Sequence, residues 1–129
     1  AGLADNPLDE LGILQSELFR AVRLVVDTGM HYKKWTREKA MAYMKAKTGM
    51  SDTEVRVEIE RYIVWPAQAL SYKVGMIKIL ELRKRAQDAL GEKFNIKDFH
   101  SALLDHGSPP LFIVEEKVKD MINNAKLLN

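Results

Sequence analysis

Apolar residues recur at spacings of three and four along nearly the whole chain, and strict alternation is hard to find. The pattern predicts helices and no sheet. Residues 7–28 form the first. Leu11, Leu14, Leu18, Val22 and Val25 make one apolar stripe. Ile13 and Leu24 add a second, with Glu17, Arg20 and Asp27 along the same side. Pro7 suits a first turn, where its missing N–H has no intrahelical partner to lose, and Asp9 and Glu10 favour the positive helix start. Gly29 is the expected C-terminal stop.

The second helix is expected over about 36–48, with Thr36 as its cap, Ala40, Tyr43 and Met44 inward and Gly49 as its stop. The third opens at "SDTE", residues 51–54, where Ser51 and Glu54 have capping-box spacing. Val55, Ile59, Tyr62 and Ile63 are its expected core residues. Pro66 opens the fourth, and the residue before a proline resists the α region, so helices three and four should be separate. With only Gly75 as a breaker before Gly91, the fourth would be about 37 Å long and would cross the whole domain. Asn95 caps a fifth over about 96–106, with Ile96, Phe99, Leu103 and Leu104 inward. "GSPP" breaks the chain at 107–110, and a sixth helix follows to about 126. The fold class is therefore all-α: a single domain, residues 1–129, of about six helices in an irregular bundle with one long central helix.

Totals narrow the function classes. At 129 residues, 47% hydrophobic and 29% charged, the chain can bury a core and keep a solvated face. Its net charge of +2 is too small to argue for a nucleic-acid partner. With no cysteine there is no disulfide and no thiolate metal site. No apolar run approaches the roughly 18 residues of a membrane span, and no signal-peptide pattern is visible. The chain opens on Ala1-Gly2-Leu3 without a methionine, which suits either methionine trimming or cleavage from a longer chain. The compartment stays open.

Common enzyme signatures are missing: no Gly-rich phosphate loop, no Gly-x-Ser-x-Gly elbow, no His-Glu-x-x-His helix. His100 and His106 are six apart, the wrong spacing for one helical face. "LRKRAQDALGEK", residues 82–93, is the most basic stretch, but Glu81, Asp88 and Glu92 interrupt it. Nucleic-acid binding would need Lys78, Arg83, Lys84 and Arg85 to join other basic groups on one face. Helix one holds more. Glu17 and Arg20 are three apart, and Arg23 and Asp27 four, so each pair can meet in an otherwise apolar helix. Burying such charges is costly unless they are paired or used. His31 falls in the turn that follows. On helix four, Gln68, Tyr72, Gly75 and Ile79 share a face. An interior glycine costs roughly 1 kcal/mol against alanine, which suggests close approach by another element.

"ELFRAVRLVVDTGMHYKKWTREKAMAYM" and "EVRVEIERYIVWPAQALSYKVGMIKILELR" together resemble the C-terminal part of the bacterial domain-of-unknown-function family 885. The resemblance runs from about Pro7 to Ile122. Arg20-x-x-Arg23, "VVDTGMH", Trp35, "ERYI" and "PAQALSYKVG" carry it. Ala67 departs from it, standing where the family usually has glycine, in what is expected to be a harmless first helical turn.

That family is distantly similar to helical zinc peptidases such as thimet oligopeptidase and angiotensin-converting enzyme. The resemblance implies a zinc site in a longer parent, built from a His-Glu-x-x-x-Gly-His-His motif and a later glutamate upstream of this region. The present chain would hold none of the metal ligands, bind no cofactor alone and be inactive alone. It would be the C-terminal fragment of a larger catalytic domain, partnered by the N-terminal part of the same parent and by a peptide substrate, with no nucleic acid and no membrane span. His31 and Tyr72 would then be the catalytic donors to an oxyanion. Arg20 and Arg23 would bind a substrate carboxylate, Asp27 would orient His31 or pair with Arg23, and Gln68 would line the substrate cleft. The alternative is a stand-alone helical binding or scaffold domain without catalysis. It predicts an amphipathic helix one and a closed core around Tyr72, where the fragment predicts an exposed apolar face or cleft.

Overall fold

The computed structural model describes residues 6–127. Among these there are six α-helices and no strand: α1 (Pro7–His31), α2 (Arg37–Thr48), α3 (Asp52–Val64), α4 (Ser71–Leu90), α5 (Ile96–Leu104) and α6 (Leu111–Leu127). The all-α reading holds. The chain divides into two compact units, one ending at Lys73 and one starting at Val74.

Local chemistry sets most helix ends. Asn6 caps α1 by accepting from the N–H groups of Leu8 and Asp9. Thr36 caps α2 and Gly49 closes it in the left-handed conformation. Ser51 and Glu54 form the reciprocal capping box of α3. Asn95 caps α5. In each case a short polar side chain takes up an N–H that the first helical turn leaves without a partner.

In the first unit, α1 packs on α2 and α3. Val22, Val26 and Met30 of α1 meet Ala40 and Met44 of α2, Val55, Ile59 and Tyr62 of α3, and Ala69. The core thus sits against the second half of α1. Leu11, Leu14, Leu18 and Val25 of the apolar stripe are exposed, as is Ile13. The reason is length: α1 has 25 residues, whereas α2 has 12 and α3 has 13, so its flanking helices cover only part of it. Ile63 is also exposed.

Two helix boundaries differ from expectation. α1 does not stop at Gly29 but continues to His31, which sits in its last turn, where the negative end of the helix suits a histidine. α4 does not begin at Pro66. Ala67 has φ +68°, in the left-handed region, and Gln68–Leu70 make a single 3-10 turn before α4 starts at Ser71. The α-helix is therefore about 30 Å long, not 37 Å.

In the second unit, α5 packs on α6. Its core is Leu82 and Ala86 of α4, Phe99 of α5, and Val114, Val118 and Ile122 of α6. Ile96 and Leu103 pack against it, but Leu104, at the end of α5, is exposed. α5 ends there and not at residue 106.

Candidate functional site

Arg20, Arg23, Asp27 and His31 follow one another at spacings of three, four and four, so they form one stripe along α1. Facing them are α3 and the segment that leads into α4. Arg23 is the centre. Its Nε donates to the Tyr62 hydroxyl at 2.9 Å and one terminal nitrogen to Glu58 Oε2 at 3.0 Å. Glu58 Oε2 also accepts from Arg61 at 2.8 Å and from the Tyr62 hydroxyl. One carboxylate oxygen therefore serves three donors. Burial pushes the Glu58 carboxyl up, but the Tyr62 and Arg61 hydrogen bonds and the charges of Arg23 and Arg61 outweigh it, leaving it below its ordinary range. Burial and the Glu58 hydrogen bond push the Tyr62 phenol up. Tyr62 stays a donor.

Beside this knot, the guanidiniums of Arg20 and Arg23 lie 5.7 Å and 5.4 Å from the centre of the Tyr72 ring. The face of Phe19 lies 4.2 Å from Arg23. Such contacts hold a guanidinium in place without a counter-charge. Among the described residues Arg20 hydrogen-bonds only to Ser16, through its carbonyl at 2.9 Å and its hydroxyl. No carboxylate answers its charge among the described residues. Glu17, three residues away, pairs instead with Lys73 at 2.8 Å. Tyr72 is half exposed.

Asp27 has a different task from the two expected for it. It pairs with neither Arg23 nor His31. Almost fully buried, its carboxylate oxygens accept from the backbone N–H of Ala67 at 3.2 Å and 3.1 Å. It ties the strained turn between α3 and α4 to α1. Gln68, in that turn, accepts from Arg61 at 2.8 Å and so joins the Glu58 network.

His31 Nε2 lies 2.9 Å from the carbonyl oxygen of Tyr62. A carbonyl only accepts, so this nitrogen carries the proton and donates, leaving Nδ1 as the other polar atom. No contact joins His31 to Tyr72 among the described residues. Both instead connect to Tyr62, one at its main chain and the other, through Arg23, at its hydroxyl.

Sequence reasoning missed Glu58 and Arg61. A signal existed: residues 55, 58, 59 and 62 have spacings of three, one and three, so a carboxylate stands inside the core-facing stripe of α3. Gly75 gives the opposite correction. A Cβ built there meets nothing within 4 Å, so no neighbouring element explains it.

Other candidates carry less chemistry. Lys78 and Arg85 are both paired with Glu81 and Glu115, and Lys84 with Asp88, so three of the four basic residues named on α4 are spent on ion pairs, and Arg83 is exposed. A cleft of about 530 Å³ between α5 and α6 takes in Asp98, Asp105, His106 and Asp120, none of them an expected site residue apart from the histidine already set aside. No group of three His, Asp or Glu side chains among the described residues is placed to hold a metal ion. No helix among the described residues is long and apolar enough to cross a membrane.

Residues 1–118 match the family described as bacterial protein of unknown function (DUF885). No curated protein matches the chain. Among solved structures, the crystal structure of "the putative lipoprotein from Colwellia psychrerythraea" is similar, with a TM-score of 0.92 and 51% identity over 95% of this chain. The matched part is 21% of that protein, so the chain spans about a fifth of its length.

Proposed function

We propose that this chain, which belongs to the DUF885 family, is the C-terminal helical portion of a zinc-dependent peptidase and builds one wall of its substrate cleft. Arg20 binds a substrate carboxylate, and Arg23, tied to Glu58 and Tyr62, backs it with a second positive charge. Guanidinium forks match a carboxylate in geometry and charge. Tyr72 presents its hydroxyl beside them, and His31 offers a second ring farther along the same stripe of α1. Tyr72 polarises the scissile carbonyl as it gains negative charge, and His31, its Nε2 proton committed to the Tyr62 carbonyl, holds the end of α1 in place beside it. Asp27 and Gln68 set the turn that delivers Tyr72. Zinc would supply the attacking water, held by residues of a longer polypeptide.

One observation supports this most directly. Arg20 is braced on the half-exposed Tyr72 ring while no carboxylate meets its charge among the described residues. A purely structural arginine at that place would be expected to resemble Arg61, which is tied into the Glu58 network. The scaffold alternative predicts a closed core around Tyr72, and the exposure of that ring argues against it.

The test is hydrolysis of a mixed peptide library by the full-length Colwellia protein, with and without chelator, beside this chain alone with zinc. The expected result is chelator-sensitive cleavage by the former and none by the latter. Comparable turnover by the isolated chain would overturn the fragment reading. An inert full-length protein would overturn the peptidase reading.

A further inference from the structure

We infer that the first half of α1 is a docking seam, whose occupant is an apolar groove with a basic rim on the remainder of a longer polypeptide. Every residue from Asn6 to Leu18 is exposed. Yet this stretch carries Leu8, Leu11, Leu14 and Leu18, at 77%, 52%, 56% and 44% exposure. At about 100° per residue the four fall within an arc of about 120°, a continuous apolar stripe. A lone helix of this length is marginal in water, and most helical stability comes from packing such a stripe. Clustered apolar side chains on a surface mark an interaction site.

Two observations choose the occupant. The solved relative with 51% identity and a TM-score of 0.92 has four-fifths of its length outside the matched part, ample chain to supply a groove. Charge argues against the other simple occupant, a second copy. Between residues 7 and 19 stand Asp9, Glu10 and Glu17 and not one Lys or Arg. Glu10 and Glu17 lie beside one edge of the stripe and Asp9 on the opposite face, so two such arms laid together would meet with acidic side chains and no cation near the seam. A basic rim on the partner answers them.

The inference rests on the proposed function only in naming the partner as part of the same larger protein. It is tested with a chimera in which this chain replaces the matched part of the Colwellia protein. In the chimera, L11Q/L14Q lowers the melting temperature by about 5 °C or more, whereas in the isolated chain the same pair shifts it by less than about 2 °C. A second measurement does not need the chimera: this chain is titrated into the separately produced remainder of that protein. Binding at one-to-one ratio, weakened at least about tenfold by L11Q/L14Q, supports the seam. Equal sensitivity of chimera and isolated chain, or no binding in trans, overturns it. So does an isolated chain that sediments as a dimer and becomes monomeric on L11Q/L14Q, which assigns the stripe to a second copy. A seam that passes while peptide hydrolysis fails leaves this inference standing and removes only the peptidase reading.

Discussion

The backbone of Gly29 lies directly against the indole of Trp35: a Cβ built on Gly29 would sit 2.6 Å from ring atoms Cδ2 and Cε3. The Trp35 N–H also donates to the Gly29 carbonyl at 2.9 Å, so the loop after α1 folds back on the helix at this one point. Trp35 cannot easily yield, because Tyr43 packs on it at 5.5 Å and Lys39 sits over its face at 4.7 Å. Gly29→Ala would gain helix propensity of about 1 kcal/mol but force an overpacked contact costing about 1–3 kcal/mol. The expected net is a loss of up to about 2 kcal/mol, read by urea unfolding, with blue-shifted or broadened tryptophan fluorescence. An unchanged midpoint would show that the indole moves aside freely.

Gly12 and Gly75 should behave in the opposite way. Each sits inside an α-helix, and a Cβ at either meets nothing within 4 Å. Gly12→Ala and Gly75→Ala should each stabilise the chain by roughly 0.5–1 kcal/mol through helix propensity alone. Thermal unfolding checks this in the isolated chain. Destabilisation by Gly75→Ala would mean that the exposed face of α4 already has a neighbour in solution.

Ala67 holds φ +68°, where its Cβ crowds the following carbonyl. The left-handed region costs an L-residue roughly 1–2 kcal/mol, and glycine returns part of that as unfolded-state entropy. Ala67→Gly should therefore stabilise the first unit by up to about 1 kcal/mol, measured by urea midpoint. The Asp27 carboxylate holds the Ala67 N–H in place, so the gain should shrink in an Asp27→Ala background. Loss of stability on Ala67→Gly would show that the turn is not strained.

What the sequence made legible was local. Thr36, Gly49, Ser51, Glu54 and Asn95 could be assigned because a cap is settled within four residues. The helix count and the all-α class followed from periodicity over ten residues or more. What it hid depended on partners distant in the chain. Gly29 looked like a stop because nothing nearby announces that Trp35 will lean on it. Ala67 looked harmless because Asp27, forty residues earlier, decides that turn. Leu11, Leu14 and Leu18 were legible only as a stripe, which says which side of α1 is apolar, not whether anything covers it. Arg20, Arg23, Asp27 and His31 were legible as a stripe. Their true partners, Glu58, Tyr62 and the Ala67 N–H, lie on other elements.

Glu58 should govern how the first unit responds to acid. Its carboxyl is held below the ordinary value of 4.5: burial raises it, and the hydrogen bonds from Tyr62 and Arg61 and the charges of Arg23 and Arg61 lower it further than burial raises it. A carboxylate depressed in the folded state contributes stability that is fully present above its unfolded value. That contribution fades as pH falls through the lower folded value. Glu58→Gln keeps the shape but removes the charge that Arg23 and Arg61 share, and bonds to charged groups contribute about 1.5–3 kcal/mol. At pH 7 the variant should be less stable by about that much, and the gap should close as pH falls below the ordinary value of 4.5 and through the lower folded value, where wild-type Glu58 takes up its proton. The Tyr62 phenol, pushed up by burial and by Glu58, keeps its proton throughout and contributes no slope in this window. Parallel curves for the two proteins across that range, from urea unfolding at fixed ionic strength, would show that the three donors on Glu58 are not what holds α1 to α3.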